Sequence, residues 1–326
     1  MKFGSICSGI EAASVAWHSL GWQCQFVSEI EPFPCSLLNH HYPTVPNYGD
    51  MTKHHEWPKH DLDVLVGGTP CQAFSVAGLR AGLADPRGNL TLTFLSIVEQ
   101  YKPRWVVWEN VPGVLSDKTG AFGAFLGGMG QLGYGFAYRV FDAQYFGLAQ
   151  RRKRVFVVGH IGRQWQRAAA VLFERESLRG DSAPVREARK DFAGRAQDGI
   201  AECGNTISKC NAGGGLTGKT PTRDESFPQI AWALQERDAK GPDSSTKEGH
   251  LIPTLPGGFF SCAVRRLTPR ECERLQGFPD DYTLTPYRSK PASDGPRYKA
   301  LGNSMAVPVM KWIGERITKI DSIKTK

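Results

Sequence analysis

The sequence has little of what marks membrane, secreted and metal-binding proteins. It contains no run of about 18 apolar residues, the length that a membrane-spanning helix needs. Residues 1–10 show no basic start followed by a long apolar stretch, so no secretory signal is predicted. The eight cysteines include no C-x-x-C pair, which argues against a zinc site and a disulfide framework. We therefore expect a soluble, cytoplasmic monomer with reduced thiols, no bound metal and no membrane partner.

The net charge of +8 is unevenly distributed along the 326 residues. Residues 1–150 carry 9 Lys and Arg against 12 Asp and Glu, whereas residues 151–195 carry 12 against 5. Residues 261–326 add 13 against 7, and residues 196–260 have 6 against 8. A basic stretch is commonly no more than a solvated face, but this asymmetry also favours a polyanion held against the second half of the chain.

The first half alternates short apolar runs with amphipathic segments, as β-α-β units do. Strands are predicted over residues 4–6, 25–28, 63–67, 105–108 and 154–159, and helices over residues 11–20 and 90–101. This order predicts an α/β fold with a doubly wound, mostly parallel sheet covered by helices on both faces.

The periodicity weakens after about residue 163. Residues 163–262 are rich in Gly, Pro, Ser and charged residues, which predicts a loop-rich module. Helical spacing returns over residues 269–275 and 307–317. We therefore assign residues 1–163, completed by residues 300–326, to a catalytic and cofactor-binding domain, and residues 164–299 to a small domain.

Three features near predicted strand ends suit a nucleoside ligand, because ligands of open α/β sheets bind outside the carboxyl ends of the strands. The turn S-G-I-E at residues 8–11 brings backbone N–H groups toward a ligand, although a plain tight turn is the commoner reason for such a sequence. Glu29 follows the second strand, where an acidic side chain can accept hydrogen bonds from ribose hydroxyls. Asp50 could accept from an adenine amino group, yet each carboxylate alone is more often a solvated surface residue.

The strongest local signal is the segment G-G-T-P-C-Q-A-F-S at residues 67–75, directly after an apolar strand. Two glycines and a proline force an abrupt turn at the sheet edge, which directs the Cys71 thiol toward the ligand crevice. A thiol is intrinsically very nucleophilic, and nearby cations that stabilise the thiolate make it reactive. A structural cysteine in a loop is the usual alternative, but this turn favours a nucleophile.

The strand over residues 105–108 delivers Glu109 to the same edge. Its neighbours Trp108 and Val111 are apolar, so desolvation should raise the pKa of Glu109 and favour a protonated form that donates to a ring nitrogen. Alternate residues of an extended segment point the same way, so Arg152 and Arg154 can face one site together. Their guanidinium groups could stabilise a thiolate, bind a carbonyl oxygen of a base or hold a phosphate.

The order of these motifs resembles the DNA (cytosine-5)-methyltransferase family of bacteria and bacteriophages. The matching segments are P-C-Q at residues 70–72, E-N-V at 109–111, Q-x-R-x-R at 150–154, R-R-L-T-P-R-E-C-E-R-L-Q-G-F-P at 265–279 and G-N-S at 302–304. The resemblance covers residues 1 to about 160 and about 264 to 312. It implies the fold of the S-adenosylmethionine-dependent methyltransferases, with target recognition in the small domain over residues 164–299.

The resemblance also implies a mechanism on duplex DNA with S-adenosyl-L-methionine as cofactor. Cys71 would attack C6 of a flipped-out cytosine, Glu109 would donate at N3, and Arg154 with Arg152 would hold the base, before C5 takes the methyl group. The implied cofactor contacts are Cys7, Ser8, Gly9, Ile10, Glu29, Ile30, Asp50, Gly68, Pro70, Asn303 and Ser304. The implied DNA contacts are Gln72, Ser75, Arg87 and Gln150, with the loop over residues 75–87 helping to offset the cost of unstacking.

The first motif departs from the family pattern F-x-G-x-G. Cys7 replaces the aromatic residue that would stack on adenine, and Glu11 replaces the second glycine. Cys7 could be a second reactive thiol, but a buried small residue is the better interpretation.

Three other functions remain to be weighed. A relative that methylates tRNA shares the catalytic residues, a silent relative would bind DNA without transferring a methyl group, and a cysteine hydrolase would pair Cys71 with His160. The P-C-Q form favours DNA over tRNA, the intact Cys71, Glu109 and Arg154 disfavour a silent protein, and no histidine lies in a motif that orients it toward the thiol. Restriction, protective and orphan roles are equally open, the first with a cognate restriction endonuclease as partner.

Overall fold

The computed structural model of the protein describes residues 1–69, 90–117, 120–173, 231–232, 251–254 and 263–323. In chain order the strands are β1 (Lys2–Ile6), β2 (Gln23–Ser28), β3 (Val64–Gly67), β4 (Trp105–Asn110), β5 (Tyr134–Asp142), β6 (Gln150–Arg151), β7 (Lys153–Ile161), β8 (Ala231–Trp232), β9 (Leu251–Thr254), β10 (Ala263–Arg266), β11 (Pro286–Tyr287) and β12 (Lys290–Pro291). The helices are α1 (Ala12–Trp17), α2 (Pro32–His41), α3 (Leu90–Tyr101), α4 (Ala121–Gln131), α5 (Trp165–Leu172), α6 (Pro269–Gln276), α7 (Asp294–Asn303) and α8 (Val307–Asp321).

Six strands form the central sheet in the order β2-β1-β3-β4-β7-β5. The pairs β1–β2, β1–β3 and β3–β4 are parallel, whereas β7 runs antiparallel to β4 and β5. Residues 143–152 join β5 to β7 and hold only a 3-10 turn (Ala143–Phe146) and the short β6, too little chain for a crossover helix. The predicted mostly parallel sheet is thereby confirmed, with one reversed strand.

Helices cover both faces of this sheet, as the sequence predicts. On one face, Phe3, Val66 and Val107 pack in a cluster with residues of α1, α2, α5 and the C-terminal helices α6 to α8. On the other, Ile6 and Leu65 pack with α3 and α4. The inner strands β1, β3, β4 and β7 are buried over most of their length, which explains their continuous apolar runs.

Several elements differ from the sequence-based prediction. The helix expected over residues 11–20 ends its α-helical part at Trp17 and continues as a 3-10 turn, His18–Leu20. Helix α5 begins at Trp165, inside the region expected to be loop-rich, because its Ala168, Val171 and Leu172 have a core face to bury. The elements α2, α4, α7 and β5 have no predicted counterpart. The sequence does not predict α4 because four of its eleven residues are glycine, a poor helix former.

The C-terminal part of the chain packs closely against the first helix. The Trp17 indole Nε1 donates to the Met310 carbonyl oxygen over 2.8 Å, and a Cβ on Gly314 would collide with the same indole. Leu267 and Tyr298 share one apolar cluster with Phe3. Part of the predicted small domain therefore packs against the central sheet, and the predicted domain boundaries stay a prediction.

Among the described helices, none is both long and apolar enough to cross a lipid bilayer.

Candidate active site

A cleft of about 850 Å³ opens at the carboxyl ends of β1 to β4. The residues that directly follow these strands line it: Cys7 after β1, Glu29 after β2, Gly68 after β3 and Val111 after β4. Parallel strands bring their carboxyl ends to one edge of the sheet, so residues far apart in sequence meet there. The opposite wall comes from α2 and from α7.

The turn after β1 is tight and left-handed in three places. Cys7 has a φ of 52°, Gly9 of 56° and Glu11 of 61°, which is why glycine suits the last position in the family pattern. A Cβ added to Gly9 would meet nothing within 4 Å, so its backbone borders open space. The Ser8 N–H donates to the Ser28 carbonyl oxygen over 3.1 Å, which ties the turn to β2.

The Glu29 carboxylate organises the next part of the cleft. Its Oε2 accepts from the Gly9 N–H over 2.7 Å, and its Oε1 accepts from the N–H groups of Ile30 and Glu31, each over 2.8 Å. Three backbone donors therefore fix the carboxylate at the cleft wall. Beside it the Ile30 side chain is 68% exposed and presents an apolar surface to the cleft.

Asp50 and Cys7 face the same cleft. The Asp50 Oδ1 accepts from the Thr52 N–H over 2.9 Å and caps the 3-10 turn Met51–Glu56. The Cys7 thiol donates to the Met51 Sδ over 3.5 Å, and burial raises the pKa of Cys7 to about 12. A thiol that is so rarely ionised is a poor nucleophile, which supports the structural interpretation of Cys7.

Glu109 lies in the floor of the cleft beside two arginines. The Arg154 Nε is 3.2 Å from the Glu109 Oε1, and the Arg152 side chain lines the cleft next to them. Burial raises the pKa of Glu109, while the positive charges of Arg154 and Arg152 act in the opposite direction. Burial together with the charge of Arg154 lowers the pKa of Arg152 to about 9. The site therefore holds a carboxyl group whose proton is retained to higher pH than usual.

The C-terminal segment closes this floor through Arg152. The Arg152 Nη2 donates to the Ser304 carbonyl oxygen over 2.6 Å, whereas its buried Nε and Nη1 have no hydrogen-bond partner among the residues that the structure describes. Asn303 lines the cleft at the end of α7. Two unpaired buried donors beside a carboxyl group are suited to hold a polar ligand atom.

Hydrogen bonds anchor the chain at the end of β3. The Thr69 Oγ1 accepts from the Trp108 Nε1 over 3.0 Å and lies 3.0 Å from the Thr91 Oγ1. The Asn110 Nδ2 donates to the Thr69 carbonyl oxygen over 2.9 Å. A Cβ on Gly68 would approach the Glu109 Oε2 to 3.1 Å, so only glycine leaves that carboxyl its present room. Thr69, two residues before Cys71, is thereby held at both its side chain and its backbone.

Thr69→Val is expected to destabilise the fold by about 1–3 kcal/mol, because it leaves the buried Trp108 N–H without an acceptor. Urea unfolding followed by Trp fluorescence would measure the loss. Thr69→Ser retains the hydroxyl and is the matched control. Equal stability of the Val and Ser variants would contradict the role of this hydrogen bond.

Several predicted site residues cannot be placed. Pro70, Cys71, Gln72, Ser75 and Arg87 lie outside the described residues. Gln150 is buried on β6, directly before the arginines, and its DNA contact stays a prediction.

The structure adds cleft residues that the sequence did not single out. On α7, Lys299 forms an ion pair with Glu31 across the cleft rim, with Nζ 3.2 Å from Oε2. The Tyr287 ring meets Phe33 edge-on at 5.2 Å. These contacts join segments more than 250 residues apart, so no local sequence signal could have revealed them. The prolines of P-F-P at residues 32–34 signal only the start of a helix.

In the part of the chain that the structure describes, no group of three or more His, Cys, Asp or Glu side chains is placed to hold a metal ion.

An open, mostly parallel sheet whose cleft is lined by a fixed acidic residue after β2 and a buried acidic residue after β4 is typical of α/β enzymes with a nucleotide-like ligand. The match to known families is more specific. The chain belongs to the C-5 cytosine-specific DNA methylase family, whose model matches residues 1–319.

Curated relatives extend over almost the whole chain. A protein of Escherichia phage P1 named DNA N-6-adenine-methyltransferase is 36% identical over 97% of this chain, which spans 61% of the length of that relative. The type II methyltransferase M1.ScrFI of Lactococcus lactis is 31% identical over 98% of this chain and 78% of its own length. The type II methyltransferase M.HhaI of Haemophilus parahaemolyticus is 28% identical over 97% of this chain and 94% of its own length.

Solved structures agree on the fold. The Schizosaccharomyces pombe Dnmt2 methyltransferase superposes with a TM-score of 0.64 over 99% of this chain and 100% of its own, at 13% identity. A putative DNA modification methyltransferase encoded within an Escherichia coli prophage superposes with a TM-score of 0.57 over 99% of this chain and 100% of its own, at 18% identity. The predicted fold class is confirmed by these likenesses.

Proposed function

We propose that this protein transfers a methyl group from S-adenosyl-L-methionine to C5 of a cytosine flipped out of a specific duplex DNA sequence. The observation that carries the proposal is the buried Glu109 beside Arg154 and Arg152, at the end of the strand next to the one that leads to Pro70 and Cys71. A carboxyl group with a raised pKa is a proton donor, and it stands where a cytosine could be bound.

The cleft fits the cofactor. Its size suits a nucleoside ligand, Gly9 borders open space, Glu29 is held at the wall to accept from ribose hydroxyls, and the exposed Ile30 offers an apolar surface to a purine. We assign the adenine amino group to Asp50, and the closing contacts to Asn303 and Ser304. The cofactor, when bound, supplies an electrophilic methyl group for C5.

The chain's own residues perform the remaining steps. The Cys71 thiolate adds to C6 while Glu109 delivers its proton to N3. This addition makes C5 nucleophilic, and C5 can then form a bond to the methyl group. Arg154, with Arg152, holds the base and stabilises the anionic groups around it. Release of the C5 proton to water, return of the N3 proton to the Glu109 carboxylate and departure of Cys71 as the thiolate restore the aromatic ring. We assign to Pro70 and Gly68 the role of directing the thiol toward the base, as the sequence of this segment predicts.

The base must leave the helix because its ring is inaccessible inside a duplex, at a cost of a few kcal/mol for unstacking. Contacts from Gln72, Ser75, Arg87 and Gln150, and from the small domain at residues 164–299, would offset that cost. The excess of 12 Lys and Arg over 5 Asp and Glu in residues 151–195 supports a DNA backbone held there.

The name of the phage P1 relative raises methylation of adenine N6 as a second candidate. An exocyclic amine is itself a nucleophile and needs no covalent catalyst, whereas C5 of cytosine becomes one only after addition at C6. An enzyme that methylates C5 of cytosine therefore needs a nucleophilic thiol and a proton donor, and the P-C-Q segment and Glu109 favour this substrate over adenine.

Analysis of the nucleosides in plasmid DNA from expressing cells decides between these candidates. We expect 5-methylcytosine and no N6-methyladenine above the level of the empty host, and bisulfite sequencing would then give the recognised site. The reverse result would replace the proposal by the second candidate. Labelling of tRNA but not of duplex DNA by the purified protein would reject DNA as substrate. A monomeric state, a cytoplasmic location and a cognate restriction endonuclease remain proposals.

A further inference from the structure

Glu11 is a carboxyl group that the mechanism above does not use. Its side chain is 1% exposed, and its φ of 61° lies in the left-handed region that favours glycine. A charged residue in such a position carries two unfavourable features at once, burial and backbone strain. The contacts of its two oxygens indicate what it gains in return.

Only one of those oxygens is satisfied. The Glu11 Oε1 accepts from the Ser14 N–H over 3.1 Å and from the Ser14 hydroxyl over 3.0 Å, which caps α1. Oε2 is buried and has no hydrogen-bond partner of good geometry in the described part of the chain, although the Ser5 hydroxyl is near enough to favour the charged form. A buried carboxylate oxygen without a full partner is costly and is a candidate for ligand contact.

A small cavity of about 40 Å³ adjoins this carboxyl group, lined by Ser5, Glu11, Gly68, Glu109, Asn303 and Ser304. It shares Gly68, Glu109 and Asn303 with the large cleft, so the two spaces lie next to each other. A water-sized group needs only about 10–15 Å³, so an ammonium group has room there.

No cation within the described residues compensates Glu11. Burial raises the pKa of Glu11 to about 7, and the negative charge of another carboxylate, Glu29, acts in the same direction. The titratable side chains packed around it, Cys24 on β2, Tyr42 after α2 and Tyr282, all have raised pKa values and stay uncharged at neutral pH. An incoming cation would therefore be the first counter-charge at this place.

The proposed chemistry determines which part of the cofactor reaches this cavity. The methyl group must face the base beside Glu109, and the ribose must face Glu29. The amino-acid end, joined to the same sulfur through a short chain, is then left for the space beside Gly68 and Asn303.

We infer that Glu11 recognises the positively charged amino group at the amino-acid end of S-adenosylmethionine, with Oε2 as the acceptor. The inference rests on the proposed function, because it takes the cofactor from there. It makes Glu11 a specificity residue that replaces the glycine of the family pattern.

Calorimetric titration of the full chain with two ligands tests it. S-adenosylhomocysteine carries the amino group, and 5′-deoxy-5′-methylthioadenosine lacks the whole amino-acid end. Glu11→Gln should weaken the binding of S-adenosylhomocysteine by about tenfold or more, the usual effect of losing a charged hydrogen bond. The affinity for 5′-deoxy-5′-methylthioadenosine should stay within about twofold of the wild-type value. Glu11→Gly, which suits the left-handed φ, should behave in the same way. Glu315→Gln, an equal change of net charge on the exposed side of α8, should match the wild type.

The pH dependence gives an independent readout. The wild type should bind S-adenosylhomocysteine more tightly as pH rises from 6 to 8, by up to about tenfold, because Glu11 ionises in this window, whereas Glu11→Gln should show a smaller change.

Unfolding of the ligand-free protein checks that the variants are folded. The raised pKa of Glu11 contributes stability that is complete below its unfolded value near 4.5 and is lost as pH rises through about 7. Glu11→Gln should therefore be at least as stable as the wild type at pH 8.

Three results would overturn the inference, and they differ from each other. Unchanged binding of S-adenosylhomocysteine to Glu11→Gln would make Glu11 a helix cap only. Equal loss of both ligands would mean that Glu11 shapes the turn and recognises no amino group. Failure of the wild type to bind either ligand would reject the proposed function and the inference with it.

Discussion

Replacement of Cys71 by Ser should reduce methyl transfer to duplex DNA by at least about 10⁴-fold, the scale seen when a covalent nucleophile is removed. A few per cent of an ordinary thiol is ionised near neutral pH, and Arg152 and Arg154 would increase that fraction, whereas a serine hydroxyl stays protonated. Transfer of a labelled methyl group to DNA in a single turnover measures the loss. DNA retention in a gel should be largely unchanged, because Cys71 contributes chemistry and little binding energy.

Trapping of the protein on DNA examines the same sulfur directly. Fluorine at C5 prevents the last elimination, so an oligonucleotide with 5-fluorocytosine at the target site should form a stable adduct with the wild type in the presence of cofactor. The matched control is Cys24→Ser, which replaces a thiol that donates to the Phe26 carbonyl oxygen on β2. Adduct formation by Cys71→Ser, or its loss in Cys24→Ser alone, would contradict the assignment.

Glu109→Gln should lower the rate of methyl transfer by about 10²–10³-fold, within the range for loss of a general acid. Glutamine has nearly the same shape and can still donate an N–H, but it cannot give a proton to N3. Because Gly68 leaves little space around the Glu109 Oε2, the isosteric change is the one that the site can accommodate. Cofactor binding should remain close to the wild-type value, which separates loss of chemistry from loss of fold.

The pH profile distinguishes a proton donor from a group that only positions the base. Burial raises the pKa of Glu109, so its donating form persists above the usual range of a carboxyl group and is lost as pH rises further. The wild-type rate should therefore fall on the alkaline side, and this limb should flatten in Glu109→Gln, while Glu315→Gln keeps the wild-type profile. An alkaline limb of unchanged shape in Glu109→Gln would remove Glu109 from the role of acid.

The sequence predicted the strands that carry the site better than the elements that enclose it. β1, β3, β4 and β7 are short apolar runs bounded by turn residues, and their pattern is local. The helices α2, α4, α5 and α7 were not predicted, since their apolar residues are mixed with Gly, Pro or charge and become intelligible only against the sheet that they cover. Helix α5 shows this most clearly, because its buried face packs on the strands β5 and β7, which precede it in the chain.

By itself the sequence determined the family, the α/β order and the identity of the candidate catalytic side chains, because each depends on short ordered motifs and on local periodicity. Only the tertiary structure decided that Arg154 lies beside Glu109, that Lys299 meets Glu31, and that Glu11 is buried beside a cavity with one oxygen that no described residue pairs in good geometry. Those facts arise from segments up to 268 residues apart that meet at one edge of the sheet. Burial and unpaired charge are properties of that meeting, and no local pattern in the chain contains them.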